Sequence, residues 1–250
     1  VGGMSTLRAL IILLGLLAIW QAVVWLSGVP PYILPAPWQV ALAIAEHWQR
    51  LAVNAGITLA EILLGLLFGS LLGVASALTL AAFRPARRWL LPVLVTSQAI
   101  PVFALAPVLV LWLGYGMASK VAMATLIIYF PVTAAFYDGL RRCEAGWLDL
   151  AQTMGAGRRA TLLHLRIPAA LPGLTSGLRV ATAVAPIGAV VGEWVGASAG
   201  LGYLMDNAND RMQIDLMFAA LFVLAVLAVG LYFLVDRLCR NVIPWQVESH

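Results

Sequence analysis

Long apolar runs separated by short polar or proline-rich breaks organise this chain. A membrane-spanning helix needs about 20 predominantly apolar residues, and six runs of about that length or more follow one another. They predict spans over residues 7–26, 51–83, 89–119, 120–137, 170–195 and 214–235. The pattern therefore predicts an all-α integral membrane protein with six transmembrane helices.

The same runs predict a single domain. We expect one transmembrane domain over residues 1–250, with a core at 51–240 preceded by a span and an external proline-rich loop at 5–50. The first run lacks a small-x-small cleavage site, so it is expected to be a retained span rather than a removed signal peptide. An amphipathic segment over 38–51 carries Trp38 and Trp48, which suit the water–lipid boundary.

Glycines and prolines mark two of the spans. The second span has a glycine at every fourth position, at Gly65, Gly69 and Gly73, and one glycine-lined helix face favours close packing of another helix. The third span contains three prolines, Pro92, Pro101 and Pro107. Prolines at this depth free backbone carbonyl groups, which must then face protein or a water-filled cavity.

The longest polar interruption lies at 138–168, between the fourth and fifth spans. Its second part, 149–168, has a small-residue turn at 155–157 and then the basic side chains Arg158, Arg159, His164 and Arg166. In a chain with few charges, such a segment indicates that something outside the bilayer binds it. Shorter breaks predict an external turn at 113–116 and a polar external loop at 196–213.

Composition supports a membrane protein, and charge sets its orientation. The chain is 62% hydrophobic and 10% charged, with a mean hydropathy of +0.95, whereas soluble domains carry about 25% charged residues. Lys and Arg concentrate in cytoplasmic loops. With the N-terminus inside, the inner side holds eleven of them: Arg8, Arg84, Arg87, Arg88, Arg141, Arg142, Arg158, Arg159, Arg166, Arg237 and Arg240. The outer side holds Arg50, Lys120 and Arg211, so both termini are expected in the cytoplasm, with Cys143 and Cys239 on that reducing side.

Several kinds of chemistry are not supported by the residues. A nucleotide-binding P-loop needs Gly-Lys-Ser/Thr, and the one lysine, Lys120, follows Ser119 at a span end. The three histidines and two cysteines are scattered, which does not predict a metal site. The chain lacks the G-x-S-x-G elbow that a serine hydrolase of this type needs. Any use of ATP must therefore come from another chain.

Ionisable residues inside spans are candidates for function because they are costly in lipid. Glu61 fits an ion pair or a boundary position as well as a functional one, and Arg179 fits an interhelical bond or a solute contact. Glu193 precedes a glycine-rich loop, which fits a gate, a dimer contact or an exposed acid. The expected path or gate residues are Ser97, Gln98, Pro101, Glu193, Gly200 and Gly202, with packing and an ordinary turn as the alternatives.

The polar segment 149–168 resembles the diagnostic motif of type I permease subunits of bacterial ABC importers. That motif reads Glu-Ala-Ala, three residues, Gly, nine residues, Ile-x-Leu-Pro. This chain has Asp149-Leu150-Ala151, Gly155 and Leu165-Arg166-Ile167-Pro168 at the same spacing, with Asp for Glu, Leu for the first Ala and the apolar pair exchanged. Residues 34–37, 100–107, 112–114, 119–120 and 192–203 also resemble the branch that handles nitrate, taurine, sulfonates and pyrimidine precursors of thiamine, although Glu61 stands where many relatives have a basic residue.

The resemblance implies an assembly. Two permease copies would pair around a translocation path, two cytoplasmic ATPase subunits would bind the segment 149–168, and an external binding protein would deliver the solute. ATP and Mg²⁺ would be bound by the ATPase chain, so this chain is expected to be a transport subunit without a cofactor or catalysis of its own. The expected ATPase-coupling residues are Asp149, Ala151, Gly155, Ala156, Arg158, Arg159, Ile167 and Pro168.

Four of these residues have an expected physical role. Gly155 would supply a small residue at the contact, and Pro168, with Pro172 behind it, would end the segment rigidly. Arg158 and Arg159 would pair with acids on the ATPase or simply contribute inner positive charge.

The solute class is the most open expectation. The segment 192–221 resembles permeases for hydroxymethylpyrimidine-type solutes, and taurine or other sulfonates, nitrate and riboflavin-like solutes are alternatives. A stand-alone six-span secondary transporter or channel is the alternative class, and it would not need the segment 149–168. A membrane-embedded enzyme is not supported, because the sequence shows no catalytic constellation.

Overall fold

The computed structural model describes residues 2–242, with side chains from Ile11 onward apart from Leu13 and Arg84. Within this part the regular elements are all helical and there is no β-strand. Its α-helices are α1 Gly2–Ser27, α2 Pro37–Glu46, α3 Trp48–Ala82, α4 Arg84–Ser97, α5 Ala106–Leu113, α6 Met117–Arg141, α7 Ala145–Thr153, α8 Arg158–Thr161, α9 Ile167–Gly196, α10 Leu201–Asp210 and α11 Ile214–Val242. The side chains of Arg8, Arg84 and His250, which entered the sequence predictions, lie outside the described set.

The long apolar helices match the predicted membrane spans in number only in part. Among the described residues, four helices are long and apolar enough to cross a membrane: α3, α6, the α8–α9 run and α11. The bent pair α4–α5 makes a fifth if it forms one span. Within α1, the apolar stretch with described side chains is Leu14–Ser27, which is shorter than a membrane span. The first predicted span, 7–26, therefore stays a prediction.

The predicted third span is wrong as a single helix. The chain bends by 92° between its two halves, Pro85–Ser97 and Val102–Leu113. Ile100 precedes Pro101, and a residue before proline is driven away from helical geometry. Pro101 itself is extended, and a 3₁₀ turn over Val102–Leu105 leads into α5. The prolines thus break the run instead of only freeing carbonyl groups within it.

The segment around Pro168 also differs from the prediction. Pro168 does not end a loop, because it lies in the first turn of α9. A helical run continues from Arg158 to Gly196 through a π-helical stretch at Leu162–Arg166. Because proline has no N–H, Pro168 removes one hydrogen bond from this run, and the π-helical stretch lies just before it. The span predicted to begin at residue 170 therefore begins earlier.

Two further boundaries are corrected. The fourth span is not short, because α6 extends from Met117 to Arg141 over 25 residues. The predicted external loop at 196–213 contains α10, which buries Leu201, Leu204, Met205 and Ala208. That spacing of i, i+3, i+4 and i+7 is the apolar stripe of an amphipathic helix. Polar residues on its other face, such as Asp206, gave the segment its loop-like composition.

The centre of the molecule is the packing of α6 between α3 and α9. The glycine face of α3 meets α6, since a Cβ at Gly69 would lie 2.6 Å from Ile128 Cγ2 and one at Gly73 would lie 3.0 Å from Val132 Cβ. On the other side, a Cβ at Gly177 would lie 2.9 Å from the Pro131 carbonyl oxygen. The prediction that the glycine face serves helix packing is confirmed.

The pairing also fixes helix directions. Gly65, Gly69 and Gly73 meet successive residues Ala124, Ile128 and Val132, so α3 and α6 run parallel. The end of α9 packs with the beginning of α3, as Val190 and Leu51 share one core cluster, so α9 runs antiparallel to both. The chain must therefore cross the bundle between α3 and α6, and α4–α5 is the segment that does so.

Candidate functional site

Three charged side chains of three different helices meet in one buried cluster. Glu61 of α3, Lys120 of α6 and Glu193 of α9 are 1%, 3% and 1% exposed. Neither the boundary position considered for Glu61 nor the exposed acid considered for Glu193 agrees with this burial. Lys120, predicted at an outer span end, is also inside the bundle. Groups of this charge are seldom fully buried unless they are paired.

Glu193 is the centre of the cluster. Its Oε1 accepts a hydrogen bond from Thr58 Oγ1 at 2.6 Å, and its Oε2 accepts one from the Gly202 backbone N–H. Glu61 lies one helical turn after Thr58 on the same face of α3, which places its carboxyl beside that of Glu193. Glu193 thereby joins α9 to α3 and to the N-terminus of α10.

The N-terminus of α10 is capped by side chains of other helices. The first N–H groups of a helix have no intrahelical acceptor. Here Gly200 N–H donates to Asn54 Oδ1 at 2.7 Å and Leu201 N–H donates to Thr58 Oγ1 at 2.8 Å. Gly202 N–H donates to Glu193. The carboxylate also complements the positive end of the helix dipole.

Gly200 and Gly202 are required by this close approach. Gly200 has φ +116° and ψ 164°, a conformation that is essentially restricted to glycine. A Cβ at Gly200 would also overlap the Glu193 carboxylate, and one at Gly202 would lie 2.7 Å from Glu193 Oε2. The glycine-rich loop is thus a packed cap over Glu193 rather than an ordinary turn.

Lys120 joins the other side of the cluster. Its ammonium donates to the carbonyl oxygens of Tyr115 at 2.6 Å, Gly116 at 2.9 Å and Gly196 at 3.1 Å. Gly196 is the last residue of α9, whose terminal carbonyl groups lack intrahelical donors. Lys120 therefore holds the turn before α6 against the end of α9.

Sequence reasoning missed Asn54 and Thr58. They lie seven and three residues before Glu61, so all three occupy one face of α3. That spacing was the available signal, but it points to function only when the partner, the N-terminus of α10, is known. α10 had been predicted as a loop.

Ser97, Gln98 and Pro101 lie elsewhere, at the bend between α4 and the 3₁₀ turn. All three are exposed, and Ser97 Oγ donates to the Leu94 carbonyl oxygen at 2.8 Å in its own helix. The hydrogen bonds of Glu193 go to α3 and α10 instead. The predicted path or gate residues therefore form two groups, an exposed bend and a buried cap.

The segment predicted to bind an external partner folds as α7 followed by a glycine cap. Gly155 adopts φ +78°, the left-handed conformation that commonly ends helices. Gly155 N–H donates to the Gln152 carbonyl oxygen and Ala156 N–H to that of Ala151, both at 2.9 Å. This is the Schellman pattern, in which the last carbonyl groups are satisfied. A Cβ at Gly155 would meet nothing within 4 Å, so its surface is open.

The predicted coupling residues divide into an outer and an inner set. Asp149, Gly155, Arg158, Arg159 and Pro168 are exposed, whereas Ala151 is buried and Ala156 and Ile167 are half-buried. Ile167 packs against the core cluster around Leu140 and Ala170. The inner set therefore seats the segment on the bundle, and the outer set faces away from it.

α7 also exposes an apolar stripe that sequence reasoning did not single out. Trp147, Leu150 and Met154 are 56%, 53% and 78% exposed. Their spacing of i, i+3 and i+7 places them on one helix face. Trp147 Nε1–H donates to Glu144 Oε2 at 2.9 Å, which orients the indole.

Arg179 is accounted for by an interhelical ion pair. Its Nε lies 2.7 Å from Asp236 Oδ1 of α11, and Arg240 Nε lies 2.9 Å from the other oxygen of that carboxylate. Of the alternatives for Arg179, the structure shows the bond to an acid.

Comparison with known proteins adds a family and several relatives. Residues 65–246 match the model of the family described as "binding-protein-dependent transport system inner membrane component". A probable ABC transporter permease protein of Haemophilus influenzae is 56% identical over 96% of this chain and 98% of its own length. The formylaminopyrimidine transport permease protein ThiX of Halalkalibacterium halodurans is 36% identical over 98% of each chain. The riboflavin transport system permease protein RibX of Chloroflexus aurantiacus is 38% identical over 93% of this chain and 88% of its own.

Solved structures agree on the fold. An inward-facing structure of the MetNI methionine ABC transporter contains a chain that superposes with a TM-score of 0.68, at 22% identity, over 79% of this chain and 98% of that one.

Proposed function

This chain belongs to the family of binding-protein-dependent transport system inner membrane components and is a permease of an ABC importer, and from that premise we propose that it carries a small aminopyrimidine of the hydroxymethylpyrimidine type. It is a transport subunit rather than an enzyme, and its partners are an ATPase and a solute-binding protein. In the proposed assembly, two copies of the chain form the path, and ATP and Mg²⁺ are bound by two ATPase subunits.

The observation that carries the substrate proposal is the relation to the formylaminopyrimidine permease. That protein is 36% identical over 98% of both chains. The riboflavin permease has a similar identity over a smaller share, and a taurine permease of Escherichia coli is 29% identical. Riboflavin is the second candidate, followed by taurine, alkanesulfonates and nitrate.

Uptake by the reconstituted importer tests this proposal. The permease, its ATPase and its binding protein are placed in proteoliposomes with internal ATP, and uptake of radiolabelled formylaminopyrimidine is measured. We expect ATP-dependent uptake that excess unlabelled hydroxymethylpyrimidine reduces and excess taurine or nitrate does not. Uptake of riboflavin in place of the pyrimidine would contradict the substrate while leaving the permease role intact. Uptake without ATPase would contradict the coupled mechanism and favour a stand-alone transporter.

The exposed face of α7 supports the proposal that this helix binds the ATPase. Its apolar stripe is followed in the chain by the exposed Arg158 and Arg159, at the end of the bundle where α6 ends and α9 begins. An apolar core with charges at its rim is the usual composition of a protein interface. The proposed contact residues are therefore Trp147, Leu150 and Met154 together with Asp149, Gly155, Arg158 and Arg159.

The buried cluster supports a proposed role for Glu193 in a gate. It fixes the N-terminus of α10 to α3 and α9, at the end of the bundle opposite α7. The bend residues Ser97, Gln98 and Pro101 are proposed to face the path between the two copies, because they are exposed on the single chain.

A further inference from the structure

The hydrogen bonds of the buried cluster determine where its protons lie. A carboxylate only accepts hydrogen bonds, a hydroxyl donates one, and an ammonium donates three. Each donor in the cluster can therefore be followed to its acceptor. The side chains involved are those of Glu61, Glu193, Lys120 and Thr58. Their hydrogen bonds do not depend on which solute the chain carries.

Glu193 receives a donor at both oxygen atoms. The one hydroxyl proton of Thr58 goes to Glu193 Oε1, because Thr58 Oγ1 itself accepts from Leu201 N–H. The backbone N–H of Gly202 goes to Glu193 Oε2. Both bonds favour the ionised form of Glu193, because donated hydrogen bonds stabilise a carboxylate more than a neutral carboxyl.

Lys120 has no proton left for Glu61. Its three ammonium protons match the three carbonyl oxygens of Tyr115, Gly116 and Gly196. Within residues 2–242, Glu61 Oε2 is buried and has no hydrogen-bond partner. An unpartnered carbonyl oxygen of a neutral carboxyl costs much less than an unpartnered carboxylate oxygen.

We propose that Glu61 and Glu193 form a proton-binding site, in which Glu61 carries the proton and donates it to the Glu193 carboxylate. Two buried carboxyl groups that lie side by side are stabilised by one proton between them, since two carboxylates can only repel each other. With Glu61 neutral, the charges of Glu193 and Lys120 cancel, so the buried cluster has no net charge.

The groups that face Glu61 are few. Glu193 of α9 and Lys120 of α6 are the charged groups that act on it. Tyr203 is the titratable residue in the first turn of α10, and Tyr115 is the one in the turn before α6. When the pH rises far enough, one proton passes from Glu61 to water and one hydrogen bond is lost. The two carboxylates then repel, and Glu193 can no longer hold both Thr58 and Gly202.

The proton is therefore a latch between α3 and the N-terminus of α10. Its stabilising effect is complete at acidic pH, where the glutamates of the unfolded chain are also protonated, and is lost progressively as the pH rises above that range. Glu61→Gln should mimic the protonated acid, because its amide donates to Glu193 and carries no charge. Glu193→Gln should not be tolerated equally, because its amide group would place a donor against Thr58 or Gly202.

Infrared difference spectroscopy tests the proton directly. The full-length chain in lipid nanodiscs is measured at neutral pH in H₂O and D₂O, and the C=O stretch of a protonated carboxyl is recorded. We expect this band in the wild type and in the control variant Asp206→Asn, which changes an exposed acid of α10. We expect its loss in Glu61→Gln. Absence of the band from the wild type, or its persistence in Glu61→Gln, would overturn the proposal.

Thermal unfolding against pH tests the latch. The unfolding midpoint of the wild type should fall by several degrees from neutral to alkaline pH, beyond the fall seen in Glu61→Gln. At neutral pH, Glu61→Gln should stay near the wild type and Glu193→Gln should lie well below it. Equal destabilisation by the two variants would contradict the assignment of the proton to Glu61. A wild-type curve that shifts when Na⁺ replaces choline would assign the site to a metal cation instead.

Discussion

At the scale of single residues, the buried cap explains which positions of the outer loop are restricted. Gly200 combines a conformation that favours glycine with direct contact to the Glu193 carboxylate. Thr58 is restricted for another reason, because its hydroxyl both donates to Glu193 and accepts from Leu201 N–H. A buried donor or acceptor left unpaired costs about 1–3 kcal/mol. The sequence pattern marked the glycines, whereas the threonine became visible only through its partners.

Gly200→Ala is expected to destabilise the chain strongly. The backbone conformation alone costs an alanine about 1–3 kcal/mol, and its Cβ would displace Glu193 from α10. The thermal unfolding midpoint of the purified permease should fall. Gly56→Ala is the matched control, since a Cβ there meets nothing within 4 Å. Equal midpoints for the two variants would show that the cap does not constrain Gly200.

At the scale of elements, α7 and α10 are short helices with different surroundings. α10 buries its apolar stripe against the bundle and is capped by side chains of other helices. α7 leaves its stripe exposed and ends in a glycine cap of its own. The first arrangement fixes a helix within the chain, and the second presents a helix to a partner. Gly155 thus has a role beyond its small size, because it ends α7 and turns the chain toward Arg158.

The surface and the cap of α7 are expected to have separable effects on ATPase binding. Leu150→Glu should reduce co-purification of the ATPase about tenfold or more, since loss of a central apolar contact often costs over 1.4 kcal/mol. Permease stability should not change, because Leu150 is 53% exposed. Gly155→Val should also reduce co-purification, whereas Gly155→Asn, which tolerates the left-handed conformation, should retain most of it.

The control variants for α7 follow from the structure. Gly157→Val adds the same side chain at φ −68°, where a Cβ meets nothing within 4 Å. Ile33→Glu changes an equally exposed apolar residue before α2. Both should bind the ATPase normally. Normal binding by Leu150→Glu would remove α7 from the interface.

At the scale of the whole molecule, the helix directions separate the two candidate functional regions. α3 and α6 run parallel and α9 antiparallel, so the buried cluster lies at one end of the bundle and α7 at the other. The bent pair must then connect the two ends. If α1 is a further span, the beginning of α1 and the end of α11 lie on the side of α7, in agreement with the proposed cytoplasmic termini. Exposed apolar surface on α1, α4 and α5 supports contact with lipid and with a second copy.

Cysteine labelling tests this arrangement. Cys143 lies between α6 and α7 and is partly exposed, whereas Cys239 is buried. In a Cys239→Ser background, a membrane-impermeant maleimide should label Cys143 in inside-out vesicles and not in intact cells. Asp206→Cys in a background without the two native cysteines should show the reverse, since α10 is at the opposite end. Labelling of both positions from one side would contradict the proposed topology.

Sequence alone determined the membrane class, the helical fold, most span positions and the family motif at 149–168. These follow from local composition and spacing, because a bilayer requires long apolar helices whatever their packing. The glycine face of α3 could also be predicted, since a spacing of four residues within one helix places the glycines on the same side. The helix boundaries at Pro101 and Pro168 could not be predicted, because whether proline breaks a helix or lies near the start of one depends on the backbone before it.

The tertiary structure decided how distant residues combine. Asn54, Thr58, Glu61, Lys120 and Glu193 come from three helices, and their spacing along the chain does not indicate which of them meet. Glu193 is buried because α10 folds over it. The sequence of α10 is polar in composition, and its apolar face becomes evident only when its packing is known. Ionisable groups gain meaning from their neighbours, because burial and hydrogen bonding decide whether a carboxyl is a charge or a proton carrier. The sequence therefore determines the class of protein, and only the packing of α3, α6, α9 and α10 brings Glu61, Lys120 and Glu193 together.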